Sequence, residues 1–267
     1  MAQFLRIEKK ENIATVTIVE PTMPPKFFEE VGEAFKDLAR DPDLRAVVLH
    51  NEAKAFSYGL DLNAAIQEHG PLLVGPGLAG PRTELLALIK YWQGCISAVA
   101  DLPVPVIVSV NGWCIGGGLD LISACDLRVC DAKAQFSLRE TRIAIVADLG
   151  SLQRMPHIVG EAKTRELAYT GRDFDAAYAK EIGLVNEIYS TVEESLAGAQ
   201  SLAKEIAQNP PLTVRGVKKV LSQRIHSELQ EGLDYVATWN SAFIQSEDLA
   251  EAMAAFMERR EPEFKGR

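Results

Sequence analysis

A chain of 267 residues that is 47% hydrophobic and 24% charged can bury a full core, which excludes a disordered or fibrous protein and fits one large domain or one domain with an appendage. Its net charge of −9 gives no electrostatic footprint for nucleic acid or an anionic membrane, so a small molecule is the expected partner. Four cysteines (Cys95, Cys114, Cys125, Cys130) without C-x-x-C spacing, four histidines without metal-ligand spacing, and no secretory leader or membrane-length apolar run predict a cytoplasmic protein with reduced core thiols and no metal.

Phe4 to Glu8 and Ile13 to Val19 are β-prone runs around the polar Lys9-Lys-Glu-Asn12, which predicts an opening hairpin. Phe27, Val31, Phe35 and Leu38 recur at helical spacing until Asp41-Pro42, and Arg45 to His50 follows as a strand. Strand, helix, strand suggests a parallel crossover. Lys54 to Leu62 reads as a loop with Gly59 in mid-turn and Asp61 as a cap for the next helix, offering one backbone N–H to a ligand. Gly70-Pro71, Gly75-Pro76-Gly77 and Gly80-Pro81 predict a mobile surface loop or lid. Leu85, Leu88, Ile89, Trp92, Ile96 and Val99 mark an amphipathic helix that Pro103 and Pro105 end.

The central stretch runs from the β-branched Val106-Ile-Val-Ser-Val110 through Asn111-Gly-Trp-Cys-Ile115 to Gly116-Gly117-Gly118-Leu119-Asp120. It reads as a buried strand, a tight turn and a helix start. Glycines admit a ligand oxygen close to the main chain, and the unpaired N–H groups of a first helical turn favour developing negative charge, which makes an oxyanion hole. Asp120, Glu140 and Asp148 lie along the same stretch among apolar residues, as proton transfer next to a carbonyl would require. Short strands are predicted at Leu127–Cys130, Gln135–Leu138 and Leu184–Ile188, and helices at Ser151–Ile158, Glu161–Tyr169 and Asp175–Ile182. From Val192 on, four helical segments follow one another. The expected division is therefore an α/β part over 1–191 and a helical packing and assembly region over 192–267.

The glycines do not form a dinucleotide fingerprint, because Leu121 stands where a third glycine would fall, and neither a P-loop lysine nor a G-x-S-x-G elbow is present. Four ordered motifs nevertheless run through the chain: Lys54-Ala-Phe-Ser-Tyr-Gly-Leu-Asp-Leu62, Pro105 through Asp120, Ala124-Cys-Asp-Leu-Arg128 and Gly150-Ser-Leu-Gln-Arg-Met-Pro156. Together they resemble the enoyl-CoA hydratase/isomerase (crotonase) family over nearly the whole length. The resemblance implies an α/β spiral of ββα repeats with an all-helical C-terminal trimerisation region, assembled as a trimer or a dimer of trimers. It also implies an acyl-CoA site in the 1–191 part, with a thioester enolate held by the amides of Leu60 and Gly117. The matching motifs put Tyr58, Gly59, Asp61, Leu62, Gly116 and Gly118 around the substrate, and CoA belongs to the substrate, with no separate cofactor. Where hydratases of the family carry two glutamates, this chain has Asp120 and Glu140 and adds Asp148 in Ala147-Asp-Leu-Gly150.

That acid triad resembles the Δ3,5-Δ2,4-dienoyl-CoA isomerases, although Ser151 replaces a threonine. The resemblance implies that Glu140 serves C2, that Asp148 serves C6, and that Asp120 tunes them; Asp126 and Arg128 read as structural. Alternatives are a hydratase acting through Glu140 and Asp120, or a non-catalytic acyl-CoA-binding or RNA-associated paralogue. The family pattern is broken at Val19-Glu-Pro-Thr-Met-Pro-Pro-Lys26, where Lys26 is left as the candidate phosphate contact.

Overall fold

The computed structural model describes residues 3–75 and 77–267. β1 (Leu5–Lys10) and β2 (Ile13–Ile18) form the expected antiparallel hairpin, turned by Glu11 and Asn12 at φ 51° and 64°. α1 (Pro25–Leu38) starts with a proline at its first position, where the missing N–H would have had no helical partner. It crosses to β3 (Ala46–Asn51), which lies parallel to β2.

α2 (Leu62–Leu73) and α3 (Ala79–Ala100) come next, and they correct the expected lid. Gly70 and Pro71 are helical, beyond a break at His69 (φ −126°, ψ 18°), and Gly80 and Pro81 lie in the first turn of α3. A proline is tolerated in a first turn because that N–H has no carbonyl to meet. Only a short link around Gly75 and Gly77 remains, and Pro76 lies outside the described residues.

β4 (Val106–Val110), β5 (Trp113–Ile115) and α4 (Gly117–Ser123) carry the glycine-rich stretch. β6 (Leu127–Asp131), β7 (Gln135–Ser137), a 3-10 turn at Glu140–Ile143, α5 (Ser151–Val159) and α6 (Glu161–Thr170) follow. Then come β8 (Asp173–Asp175), α7 (Ala176–Glu181), β9 (Glu187–Tyr189), α8 (Val192–Gln208), α9 (Pro211–Gln223), α10 (His226–Phe243) and α11 (Glu247–Glu258).

The larger sheet has the order β1-β2-β3-β4-β6-β9, parallel after the opening hairpin, and a smaller sheet has the order β5-β7-β8. Single bridges Met23 to Leu60 and Ser57 to Cys114 extend the second ladder backwards. Each turn of the spiral thus lays one strand in the large sheet and one short rung beside it before a helix. Both faces of the large sheet are covered, as a parallel sheet requires. Val47, Leu49, Val106 and Val108 face the main core, whereas Ala46, Val48, Ile107 and Val129 face Ala199 and Ala203 of α8. Two small residues one turn apart let that helix lie close.

Asp126 and Arg128 serve the scaffold. Asp126 Oδ2 accepts from Val106 N at 2.8 Å and from the buried Lys218 Nζ at 2.7 Å. The buried Arg128 guanidinium donates to the carbonyls of Leu184, Ile122 and Cys125, the last two closing the C-terminal end of α4.

Candidate active site

β4 is buried along its whole length and ends where Asn111 Nδ2 donates to Ala53 O at 2.7 Å, just ahead of the 54–62 loop. After β5 the chain turns at Gly116, with φ 52° and ψ −117°, into α4. This conformation is open to glycine, and a Cβ there would stand 3.1 Å from Glu140 Oε1. Gly116 N donates to Ser137 O, and its carbonyl accepts from Leu119 and Asp120. The next amide, that of Gly117, meets no acceptor among the described residues.

The second amide comes from the neighbouring loop. Met23 N donates to Gly59 O and Met23 O accepts from Asp61 N, both at 3.0 Å, so the intervening Leu60 amide points the other way, as alternation along a bridge demands. Leu60 N lies 3.9 Å from the place a Cβ would take on Gly117, and a Cβ on Gly59 (φ 84°) would lie 3.6 Å from Gly117 N. Two N–H groups without an acceptor among the described residues therefore adjoin. The Val19–Lys26 segment, where the motif pattern breaks, supplies the bridge residue that orients one of them. Lys26 itself is exposed at the start of α1.

The other motif residues divide by role. Asp61 Oδ1 caps α2 through Ala64 N at 3.0 Å, Leu62 begins that helix half-buried, and Tyr58 is 38% exposed at the rim. Gly118 is required by packing, since a Cβ would press on Ser57 Cβ at 2.8 Å. The wall beside Gly117 is aromatic: Phe28 stacks on Trp92 at 5.2 Å, and His69 meets Trp92 edge-on at 5.7 Å.

The three acids converge on this turn from different elements. Asp120, 2% exposed on α4, accepts from Ser151 N at 2.7 Å, so it also joins α4 to α5. Burial raises its pKa, opposed by the Ser151 N–H and by Arg154. Glu140, opening the 3-10 turn, is pushed up to about 8 by burial and then by the charges of Asp120 and Asp148. Its Oε2 has no hydrogen-bond partner among the described residues, and Arg139 turns away to pair with Asp173 at 2.6 Å. Asp148 is pushed up to about 7 by burial, with Asn240 opposing and Asp120 adding to the rise. Glu140 and Asp148 keep some accessible surface.

Two residues beyond the sequence motifs hold Asp148. Asn240 Nδ2 donates to Asp148 Oδ2 at 2.6 Å, and Gln93 Nε2 donates to Asp148 O at 2.7 Å. A signal for both existed: each is a polar residue on the buried stripe of its helix, Gln93 beside Ile89 and Ile96 and Asn240 beside Leu233, Val236 and Ala237. A separate crevice of about 380 Å³, lined by Arg215, Lys218, Lys219 and His226 among others, includes none of the three acids.

Free amides beside raised carboxyl groups define a site for enolate chemistry on a carbonyl compound, and the chain belongs to the enoyl-CoA hydratase/isomerase family, whose profile matches residues 8–267. It is 42% identical over 238 residues to a peroxisomal Δ3,5-Δ2,4-dienoyl-CoA isomerase of Arabidopsis thaliana, covering 89% of this chain and 86% of that one. It is 37% identical over 272 residues to a mitochondrial protein of the same name from Dictyostelium discoideum, covering 98% and 92%. An enoyl-CoA hydratase/isomerase from Pseudoalteromonas atlantica T6c superposes with a TM-score of 0.85 at 24% identity, over 98% of this chain and all 100% of the other, which is agreement of fold.

Proposed function

We propose that this protein isomerises 3,5-dienoyl-CoA thioesters to their 2,4-dienoyl forms. The observation that carries the reading is Asp148, a third carboxyl group raised toward neutrality beside Glu140, in a chain similar to proteins named for this reaction. In this reading the thioester oxygen lies between the amides of Leu60 and Gly117, which stabilise the charge of the dienolate. Glu140 takes the proton from C2, electrons move along the diene, and Asp148 delivers a proton to C6; the two acids then exchange a proton to reset. Burial keeps both acids high, and the charge of Asp120 adds to the rise. Every step uses side chains and amides of this chain, with CoA as part of the substrate.

Purified protein should raise the ultraviolet absorbance of a 3,5-dienoyl-CoA as conjugation with the thioester forms. Turnover needs Glu140 ionised and Asp148 protonated, so the pair must hold one proton and the rate should follow a bell, rising near pH 7 and falling near pH 8; with Asp148 the stronger acid, the productive arrangement is the minor of the two one-proton forms. Rapid hydration of crotonyl-CoA without diene turnover would favour the hydratase reading instead.

A homotrimer or dimer of trimers is supported by apolar side chains exposed on the last helices: Leu212, Val220 and Leu221 on α9, Tyr235 and Phe243 on α10, and Phe256 on α11. Light scattering is expected to give three or six chain masses; a monomer at micromolar concentration would overturn this. A cytoplasmic location is consistent with four free, buried thiols, while the two relatives named above are peroxisomal and mitochondrial. Among the described residues no helix is long and apolar enough to cross a membrane.

A further inference from the structure

The helical C-terminal region does more than pack: α10 places one side chain on a reactive acid. Asn240 is 2% exposed, and its Nδ2 donates to both Val146 O at 2.7 Å and Asp148 Oδ2 at 2.6 Å. The main-chain carbonyl of Val146 can only accept, which fixes the amide with its NH2 edge toward Asp148. A second amide, Gln93, holds the Asp148 main chain and also donates to Leu233 O of α10 at 3.0 Å. The acid-bearing loop is thus clamped to α3 and α10 by two side chains, of which only Asn240 reaches the carboxyl group.

The charged group that raises Asp148 is Asp120 from α4; Asp148 in turn raises Glu140 of the 3-10 turn, while Arg154 of α5 acts on Asp120. The elements α3 and α10 present amides there. Asn240 is therefore the side chain that favours the ionised form of Asp148 against burial and the charge of Asp120.

We propose that Asn240 is a positioning residue for the isomerisation: its hydrogen bond to Asp148 Oδ2 aims that carboxyl group and strengthens as Asp148 gives its proton to the acyl chain. The proposal rests on the reaction argued above, in which negative charge develops on Asp148 during reprotonation. A hydrogen bond to a group gaining charge is stronger in the transition state than before it.

The test is a carbon-13 titration of Asp148 in the full-length protein, assigned by loss of its resonance in Asp148→Asn. In Asn240→Leu the midpoint should rise by about one pH unit, since a donor to the charged form has been removed. The acid limb of the rate profile should move with it, and kcat should fall roughly tenfold or more with KM changed far less. Gln93→Leu, which loosens the same loop without touching the carboxyl group, should leave the midpoint in place.

An unmoved midpoint in folded Asn240→Leu overturns the proposal. Should that variant fail to fold, the wild-type protein still decides: the Asn240 side-chain amide protons must shift along the Asp148 titration and cease to do so in Asp148→Asn, and their indifference to it overturns the proposal equally. These titrations need no turnover, so a wild-type protein inactive on 3,5-dienoyl-CoA would defeat the assigned reaction while the link between Asn240 and Asp148 is read independently.

Discussion

Replacing Asp148 with asparagine should lower turnover of 3,5-dienoyl-CoA by about 10²–10⁴-fold, the usual range for a positioned acid or base, and should at the same time make the protein more stable at pH 8. The gain follows from the direction of the shift. In the unfolded chain Asp148 ionises near its ordinary 3.8, whereas in the fold burial holds it up to about 7. Below about pH 4 both states keep the proton and the group does not oppose folding. Between pH 4 and 7 the unfolded state releases it first, stability declines, and above pH 7 the loss is complete. Asparagine removes that loss and can still accept from Asn240 through its carbonyl. Because Asp148 retains some access to water, about 1–3 kcal/mol is expected at pH 8, vanishing by pH 4, in denaturant unfolding of both proteins. Full activity of Asp148→Asn would defeat the two-acid mechanism.

Gly117→Pro should reduce kcat by about 10²–10³-fold, the cost of one lost oxyanion donor, in a protein that still folds. Gly117 is the first residue of α4, the position at which a helix accepts proline most readily. The preceding Gly116, lacking a Cβ, is little restricted by a following ring. What proline removes is the N–H that meets no acceptor in the fold. Gly117→Ala is the control: it keeps the N–H, and its Cβ meets the flexible Met23 Sδ at 3.2 Å. Alanine should therefore keep far more activity than proline. Equal losses in the two variants, compared by steady-state kinetics and thermal melting, would mean that crowding rather than the missing donor is responsible.

Much of this arrangement was legible in the chain because it is local. The β-branched run at Val106–Val110 reads as a buried strand, Gly116 turns the chain into the helix start that the glycine triplet predicts, and Asp120, Glu140 and Asp148 stand at separations that share a motif pattern. The helices of the C-terminal part follow their apolar spacing to within a few residues. What escaped has a common physical reason. β5 and β8 are three residues long and exist because a neighbouring strand pairs with them, a partner that lies elsewhere in the sequence. The breaker-rich stretch before α3 resembles a loop in sequence, but a proline breaks a helix in its interior and not in its first turn, where Pro81 falls. Gln93 and Asn240 are far from Asp148 in sequence, so their partners appear only once α3 and α10 have packed against its loop.

Arg128 reaches from β6 under the far end of α4, where its guanidinium receives the carbonyls that a helix ordinarily leaves facing water. With only seven residues, α4 has its two poles about 10 Å apart, near enough for the negative pole to offset the positive one. A fixed cation at the negative pole cancels that offset. The two glycine amides at the start of α4 therefore keep more of their pull on an anion than a free helix of two turns would give them.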